Sequence, residues 1–342
     1  MAELAKLPEL LLPWYRAHRR DLPWRQDREP YHVWLSEIML QQTRVEAVMG
    51  YYTAFLRRFP TIEALAGAPE DDLLKQWEGL GYYSRARNLQ KAARVIMETH
   101  GGRFPTTYEA VLALPGVGAY TAGAICSICF ELPTAAVDGN VLRVVSRCTA
   151  SDAPITEERV KRELAAQLSA VYPSGHCGDF TQALMELGAT VCLPNGAPHC
   201  DHCPLAPDCR ARLAGTQLQY PVKPPKKARR MEQRTVFILD CGGKLAVCKR
   251  PAQGLLAGLW QLPDVSGTLT DHEALRQAED WGLRPTAIEK LSKRRHIFTH
   301  VEWELTGVWL RCAAEGSFSW FTREEVEEKI GLPTAYRQFL TE

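Results

Sequence analysis

From Leu4 to about Leu213 apolar positions recur at helical spacing almost without interruption. Val33, Trp34, Ile38, Val45, Val48, Met49, Tyr52 and Phe55 keep one stripe, and Leu89, Ala92, Ala93, Ile96 and Met97 keep another, each suited to face a core. Phe59-Pro60, Gly101-Gly102, Pro133, Pro154, Pro173 and Pro194 interrupt the pattern. The spacing therefore predicts a multi-helix, all-α region. Beyond Arg234 the period changes. Thr235 to Asp240, Lys244 to Lys249 and His300 to Leu310 alternate as strands do, with Gly242-Gly243 placed to turn the first hairpin. Helical spacing returns at Asp271 to Gly282 and Arg323 to Ile330, so the tail reads as α+β. Between the two regions, Gln217 to Arg234 sets Pro221, Pro224 and Pro225 among Lys223, Lys226, Lys227, Arg229, Arg230 and Arg234. Prolines stiffen such a segment and like charges extend it, which is linker composition, and it is basic enough to touch phosphates.

A chain of 342 residues suits two or three domains. Charged residues make up 24% and the net charge is +1, so no general basic field announces nucleic acid and any such footprint must be local. No run approaches the ~18 apolar residues of a membrane span. The start, MAELAKLPELLLPWY, lacks the pattern of a signal peptide, and a cytoplasmic protein without a membrane partner is expected. Eleven cysteines are many for that setting, and an odd number argues against a complete disulfide framework. Cys192, Cys200, Cys203 and Cys209, spaced C-x7-C-x2-C-x5-C, read as ligands closing round one centre, either structural zinc or a [4Fe–4S] cluster. Spacing alone leans to zinc. The other seven cysteines look like small core residues.

The chemistry gathers at Leu114-Pro-Gly-Val-Gly118. Gly116 and Gly118 can take positive φ and leave no Cβ in the way, so backbone N–H groups can crowd against a ligand. The helix that follows offers unpaired N–H groups and a partial positive end to a phosphate. Alone, the motif would equally suit the corner of a helix-turn-helix. Asp138 changes the balance, because a helix of ~11 residues rises ~16 Å and the loop after it can double back. These residues resemble the helix-hairpin-helix DNA glycosylase superfamily, whose hairpin precedes a Gly/Pro-rich loop and a catalytic aspartate. The resemblance implies a glycosylase core over 1–215, with a six-helix lobe at about 23–131 and a second lobe formed by 1–22 and 132–215. It also turns the cysteine choice to a [4Fe–4S] cluster, since such proteins carry an iron–sulfur loop after the second helical half. Their usual spacing is C-x6-C-x2-C-x5-C. The extra residue here lies within Leu193 to His199, where Pro194, Asn195 and Gly196 can absorb it as a turn.

Two positions narrow the resemblance. Lyase members of the superfamily place a lysine at the mouth of the hairpin helix, where an amine can form a Schiff base with the sugar. Here the residue is Tyr120, which implies a monofunctional enzyme. Glu37, in Trp34-Leu-Ser-Glu-Ile-Met-Leu-Gln-Gln-Thr43, sits among apolar neighbours that would raise its pKa and suit it to donate a proton. That stretch resembles the MutY adenine glycosylases. By this resemblance Glu37 protonates adenine at N7, and Asp138 stabilises or traps the oxocarbenium, as in retaining glycoside hydrolysis. Tyr120 and Asn140 flank the sugar, and Trp24, Arg25 and Gln182 line the adenine pocket. Gln42 and Tyr82, beside Thr43 and Leu80, are the wedge candidates for flipping the base out of the stack. Arg85 and Arg87, with Gly116 and Gly118, address the DNA backbone. The tail, 235–342 after a linker at 216–234, resembles a Nudix fold, especially over Arg250 to Pro263. Glu273 to Gly282 lacks the paired glutamates that hold Mg²⁺, which implies a binding module. Its Phe298-Thr299-His300 resembles the Phe-Ser-His loop with which MutY proteins meet 8-oxoguanine. The expected partner is double-stranded DNA with A:8-oxoG or A:G mispairs, bound by a monomer that is nucleoid-associated when on DNA. Two rivals are an endonuclease III-like glycosylase and lyase, and a non-catalytic iron–sulfur DNA-binding protein.

Overall fold

In the computed structural model of the chain, residues 2–225 and 228–341 are described; Lys226 and Lys227, expected within the linker, lie outside the described residues. Contacts divide the chain into two compact units. One comprises residues up to Gly67 with Asn88–Pro225, and the other Ala68–Arg87 with the chain from residue 228 onward. No described helix is long and apolar enough to cross a membrane.

The first unit is helical throughout. Its central helix, Pro30–Leu40, starts with proline at its first turn and buries Val33 through Met39, so it is covered on nearly every side. Helix Val45–Arg58 buries Val48, Tyr52 and Phe55. Met49, expected in the same stripe, is exposed, because it lies off the 48/52/55 face. The hairpin joins the short helix Tyr108–Leu112 to Ala119–Phe130, and Gly139–Thr149, Glu158–Ser169 and Cys177–Thr190 follow. Leu7, Leu11 and Tyr15 of the N-terminal helix Leu7–His18 share one core with Val141, Val144, Phe180, Leu184 and Leu187.

The segment expected to be a linker is partly structured. Gln217–Gln219 forms a 3-10 turn, and the carbonyls of Gln217 and Tyr220 accept hydrogen bonds from Arg147 Nε at 3.0 and 3.1 Å. Val222 O accepts from Ile155 N at 3.2 Å. At the far end, Arg230 to Arg234 belong to the first strand.

The second unit is built on a seven-stranded sheet, β1 Arg230–Cys241, β2 Lys244–Lys249, β3 Trp260–Gln261, β4 Asp264–Ser266, β5 Pro285–Ile297, β6 Val301–Cys312 and β7 Ser319–Thr322. The order is β3-β2-β1-β6-β5, with β4 also pairing β1 and β7 pairing β2. β1 and β6 run parallel in register from Arg230↔Val301 to Asp240↔Arg311; the other pairings are antiparallel. Alternation along β1 feeds two cores. Val236 and Ile238 meet Trp303, Tyr336 and Phe339, while Phe237 and Leu239 meet Ala274 and Ala278. Helices Asp271–Asp280 and Arg323–Lys329 each start on a reciprocal capping box, Thr270 with Glu273 and Thr322 with Glu325. Gly242 and Gly243, at φ 60° and 82°, make the expected tight turn. Residues 68–87 belong to this unit through side chains: Glu78 Oε1 accepts from Leu332 N at 3.1 Å and Arg337 Nε at 2.6 Å, and Lys249 Nζ meets Asp71 at 2.9 Å.

Candidate active site

The hairpin places the site. Gly116 has φ +76°, and a Cβ there would lie 2.5 Å from Asn88 Cβ, so the position excludes a side chain twice over. Gly118 does not use that freedom: its φ is −98°, it is the N-cap of Ala119–Phe130, and an added Cβ would meet open space. An extended N-cap residue satisfies the helix start without left-handed backbone, so only the first glycine is conformationally required.

Asp138 is itself an N-cap. Its Oδ1 accepts from Val141 N at 2.7 Å at the head of helix Gly139–Thr149, and its Oδ2 accepts from Asn140 Nδ2 at 2.7 Å. Burial raises the Asp138 pKa, while these two bonds and the nearby Arg143 oppose the rise by favouring the anion. Arg143 Nη2 donates to Asn140 Oδ1 at 2.8 Å and to Gly188 O at 2.6 Å, which fixes the amide that holds Asp138.

Glu37 projects from the buried central helix with only 6% of its surface exposed. Desolvation pushes its carboxyl up to about 7, and the charge of Asp138 adds to the rise. The hydroxyl of Tyr120, on the first turn of the hairpin helix, donates to Glu37 Oε2. Tyr120 is raised well above its ordinary value by burial and by both acids, so it remains a neutral donor. Glu37, Tyr120, Asp138 and Asn140 line one cleft of about 180 Å³ with Trp24, Arg25, Thr43 and Gln182. The sequence expectations for the acid pair and the pocket thus fall on a single cavity. Burial raises both carboxyls; Asp138 is met by two N–H donors and Glu37 by one phenol hydroxyl, a difference that favours the anion at Asp138.

The same cleft contains residues that the sequence reading passed over. Arg20 and Glu186 line it. Glu186 lies one turn beyond Gln182 on helix Cys177–Thr190, and that spacing put it on the pocket face; only its polarity in an apolar stripe signalled a function.

Gln42 is exposed and sits at φ 60°, just after the central helix. Tyr82 is 46% exposed at φ 46°, in a loop where Gly79 and Gly81 are also left-handed. Left-handed backbone at a non-glycine residue is unfavourable and marks a position held by its surroundings. The Tyr82 hydroxyl shares a hydrogen bond with Thr299 Oγ1. Leu80 beside it is buried. Phe298, Thr299 and His300 form the turn between β5 and β6. Phe298 stacks edge-on against Trp303 at 4.8 Å, whereas Thr299 and His300 are exposed.

Arg85, expected to address the DNA backbone, is largely buried. It is 9% exposed, donates through Nη2 to Leu80 O at 2.9 Å and Gly81 O at 3.1 Å, and lies over the rings of Trp77 and Tyr82. Its guanidinium satisfies the carbonyls of the glycine loop instead of facing solvent. Arg87 is paired with Glu70 at 2.6 Å and is partly exposed.

Cys192, Cys200, Cys203 and Cys209 all line one cavity, together with Cys148 and Arg147. Arg147 Nη1 lies 3.3 Å from Cys192 Sγ, and Gln217 Nε2 lies 3.9 Å from Cys200 Sγ. Among the described residues no three Cys, His, Asp or Glu side chains close on a single point as the ligands of one ion would. The four sulfurs surround a space, and donors approach them from its wall. Of the seven other cysteines, Cys126, Cys148, Cys177 and Cys312 are buried and the rest half-buried.

A hairpin delivering an N-capping aspartate to a cleft with a buried acid defines the helix-hairpin-helix glycosylase class. Residues 35–169 match the family of HhH-GPD superfamily base excision DNA repair proteins, and residues 234–342 match the NUDIX domain family. Among solved structures the chain is similar to a thermostable thymine-DNA glycosylase, with TM-score 0.57 and 29% identity over 62% of this chain and 98% of that one. The adenine DNA glycosylase of Rattus norvegicus is 38% identical over 360 residues, spanning 88% of this chain and 70% of the rat protein. That of Buchnera aphidicola subsp. Baizongia pistaciae is 33% identical over 341 residues, spanning 97% and 95% respectively. The chain belongs to the adenine DNA glycosylase family.

Proposed function

We propose that the protein excises adenine mispaired with 8-oxoguanine or guanine from duplex DNA and leaves an abasic site. The observation that carries this reading is Glu37, a buried acid with its carboxyl near 7, opposite a hydrogen-bonded Asp138 in one cleft. A base inside a duplex cannot reach that cleft, so the nucleotide is everted, with Gln42 and Tyr82 filling the gap. Glu37, its carboxyl raised to about 7, is protonated in a large share of molecules near neutral pH, and that form gives its proton to adenine N7; the C1′–N9 bond breaks with its electrons leaving on the base. Asp138, whose anion is favoured by hydrogen bonds from Val141 N–H and Asn140 against the rise that burial imposes, faces the positive charge that develops on the sugar. Water adds at C1′ and its proton passes to a carboxylate. Tyr120 keeps Glu37 in place as a donor, and since a phenol forms no Schiff base, the strand is left intact.

Thr299 and His300, exposed at the β5–β6 turn, are the groups offered to the opposite base. The donor set at the cysteine cavity suits a [4Fe–4S] cluster held by Cys192, Cys200, Cys203 and Cys209, which when bound ties the loop after helix Cys177–Thr190 to the rest of its lobe. The protein acts as a monomer on DNA, and the cell interior is its compartment. Base release from duplexes carrying adenine opposite 8-oxoguanine, guanine or cytosine tests the reading. Free adenine is expected from the first two, much more slowly from the third, with no borohydride-trapped covalent complex. Absence of release from all three overturns it.

A further inference from the structure

Glu186 belongs to the cleft, yet the chemistry above does not use it. Its side chain is 0% exposed, and it accepts from Arg20 N at 3.0 Å and Nε at 2.8 Å on Oε1, and from Arg20 Nη2 at 2.9 Å and Arg25 Nη2 at 2.7 Å on Oε2. Arg25 Nη1 also donates to Arg20 O at 3.2 Å, and its guanidinium lies 5.7 Å from the centroid of the Tyr15 ring. Two guanidiniums and one carboxylate therefore form a closed group on the wall of the same cavity as Trp24, Glu37 and Gln182. The group carries one net positive charge. A planar guanidinium locked at several points presents its remaining edge in one direction, which suits recognition of ring nitrogens on a base.

We propose that Glu186 is a positioning residue for base recognition: it aims Arg25 at the edge of the everted base and neutralises half of the cationic charge that Arg20 and Arg25 would otherwise present to Glu37. The proposal rests on the adenine reading above. Its electrostatic half follows from who faces whom. Glu37 is faced by Tyr120 from the hairpin helix, Asp138 from the loop before Gly139, and Arg25 from the turn Pro23–Arg25. Glu186 is faced by Arg20 and Arg25, and Tyr15 of the N-terminal helix feels its charge. Arg25 is the group common to both acids, so a change in what balances Arg25 reaches Glu37.

The bland alternative is a buried ion pair that only ties helix Cys177–Thr190 to the segment before Pro23. Opposite charge changes separate the two. Glu186→Gln leaves two uncompensated guanidiniums, which favours the Glu37 carboxylate and moves the alkaline limb of the excision rate to lower pH. Arg20→Gln leaves one guanidinium balanced by one carboxylate and moves the same limb to higher pH. Glu186→Gln should release adenine from an A:8-oxoguanine duplex about 10- to 100-fold more slowly in single turnover, because Arg25 loses the bond that aims it, whereas Arg20→Gln keeps Arg25 on Glu186 and should slow release by less than about 10-fold. Both should bind a duplex carrying a base-free abasic analogue at that position close to wild type. Limbs that stay put or move the same way, or abasic-duplex binding that falls in step with the rate, overturn the proposal. If Glu186→Gln does not fold, the upward shift in Arg20→Gln alone decides it. A wild-type protein that releases no adenine marks failure of the parent reading instead.

Discussion

Glu37 and Asp138 are both carboxyl groups, but their surroundings assign them different work, and substitution should expose that. Glu37 must be protonated to act, and its carboxyl stands near 7, so excision should fall as pH rises through that value. Glu37→Gln removes the proton donor and should slow base release by about 10²- to 10⁴-fold while abolishing that alkaline limb. A single-turnover pH series on wild type and variant checks both points. Asp138 has a second duty as a helix cap. Asparagine caps nearly as well as aspartate, so Asp138→Asn should leave thermal stability within ~1 kcal/mol of wild type. Its loss of charge opposite the sugar should nevertheless cost about 10²-fold or more in rate. A rate that fell only in proportion to lost folding would mean the residue is merely a cap.

The hairpin shows how far an element could be read from its residues. Leu114 to Gly118 announced a backbone device, and the helix after it runs Ala119–Phe130, 12 residues against the ~11 expected. What spacing could not reveal was which glycine carries the left-handed backbone, because that depends on Asn88 from another helix. Gly116→Ala meets both positive φ and Asn88 Cβ, and should destabilise by roughly 1–3 kcal/mol or more. Gly118→Ala meets neither and should change the melting temperature little; equal losses in a thermal melt would contradict the assignment. β5 went unread for a different reason. It is an edge strand dense in Lys and Arg, its pairing with β6 is broken by irregularities at Pro285/Ala287 and Ile288/Lys290, and where its burial does alternate the half-buried positions are Ser292, Arg294 and His296, so the residues show no apolar period-2 pattern. The joining of 68–87 to the sheet unit was equally hidden, since Glu78 and Arg337 meet across most of the chain. Glu37 left a local mark in its apolar neighbours, whereas Asp138 was singled out by its place after the hairpin and by resemblance, its capping bond being visible only in the structure. Glu186 was less so, because its partners lie in a distant segment.

Across the whole molecule the charges nearly cancel, at net +1, so attraction to DNA has to come from local phosphate contacts and not from a general field. Each phosphate neutralised should add about −0.9 to the slope of log affinity against log salt, which makes that slope a count of participating cations. The structure sorts the cations before the measurement. Arg85 spends its guanidinium on Leu80 O and Gly81 O beneath Tyr82, and burial lowers its pKa to about 10, as expected of a cation withdrawn from water. Arg85→Ala should therefore leave the salt slope unchanged. It should instead strip two carbonyls of their donor and take the support from under Tyr82, for a stability loss of about 1–3 kcal/mol and slower base eversion. Filter binding or anisotropy over a salt series, run beside thermal melts, distinguishes the outcomes. A slope shallower by about one unit with an unchanged melt would return Arg85 to the DNA backbone, where its place in the sequence had suggested it belonged.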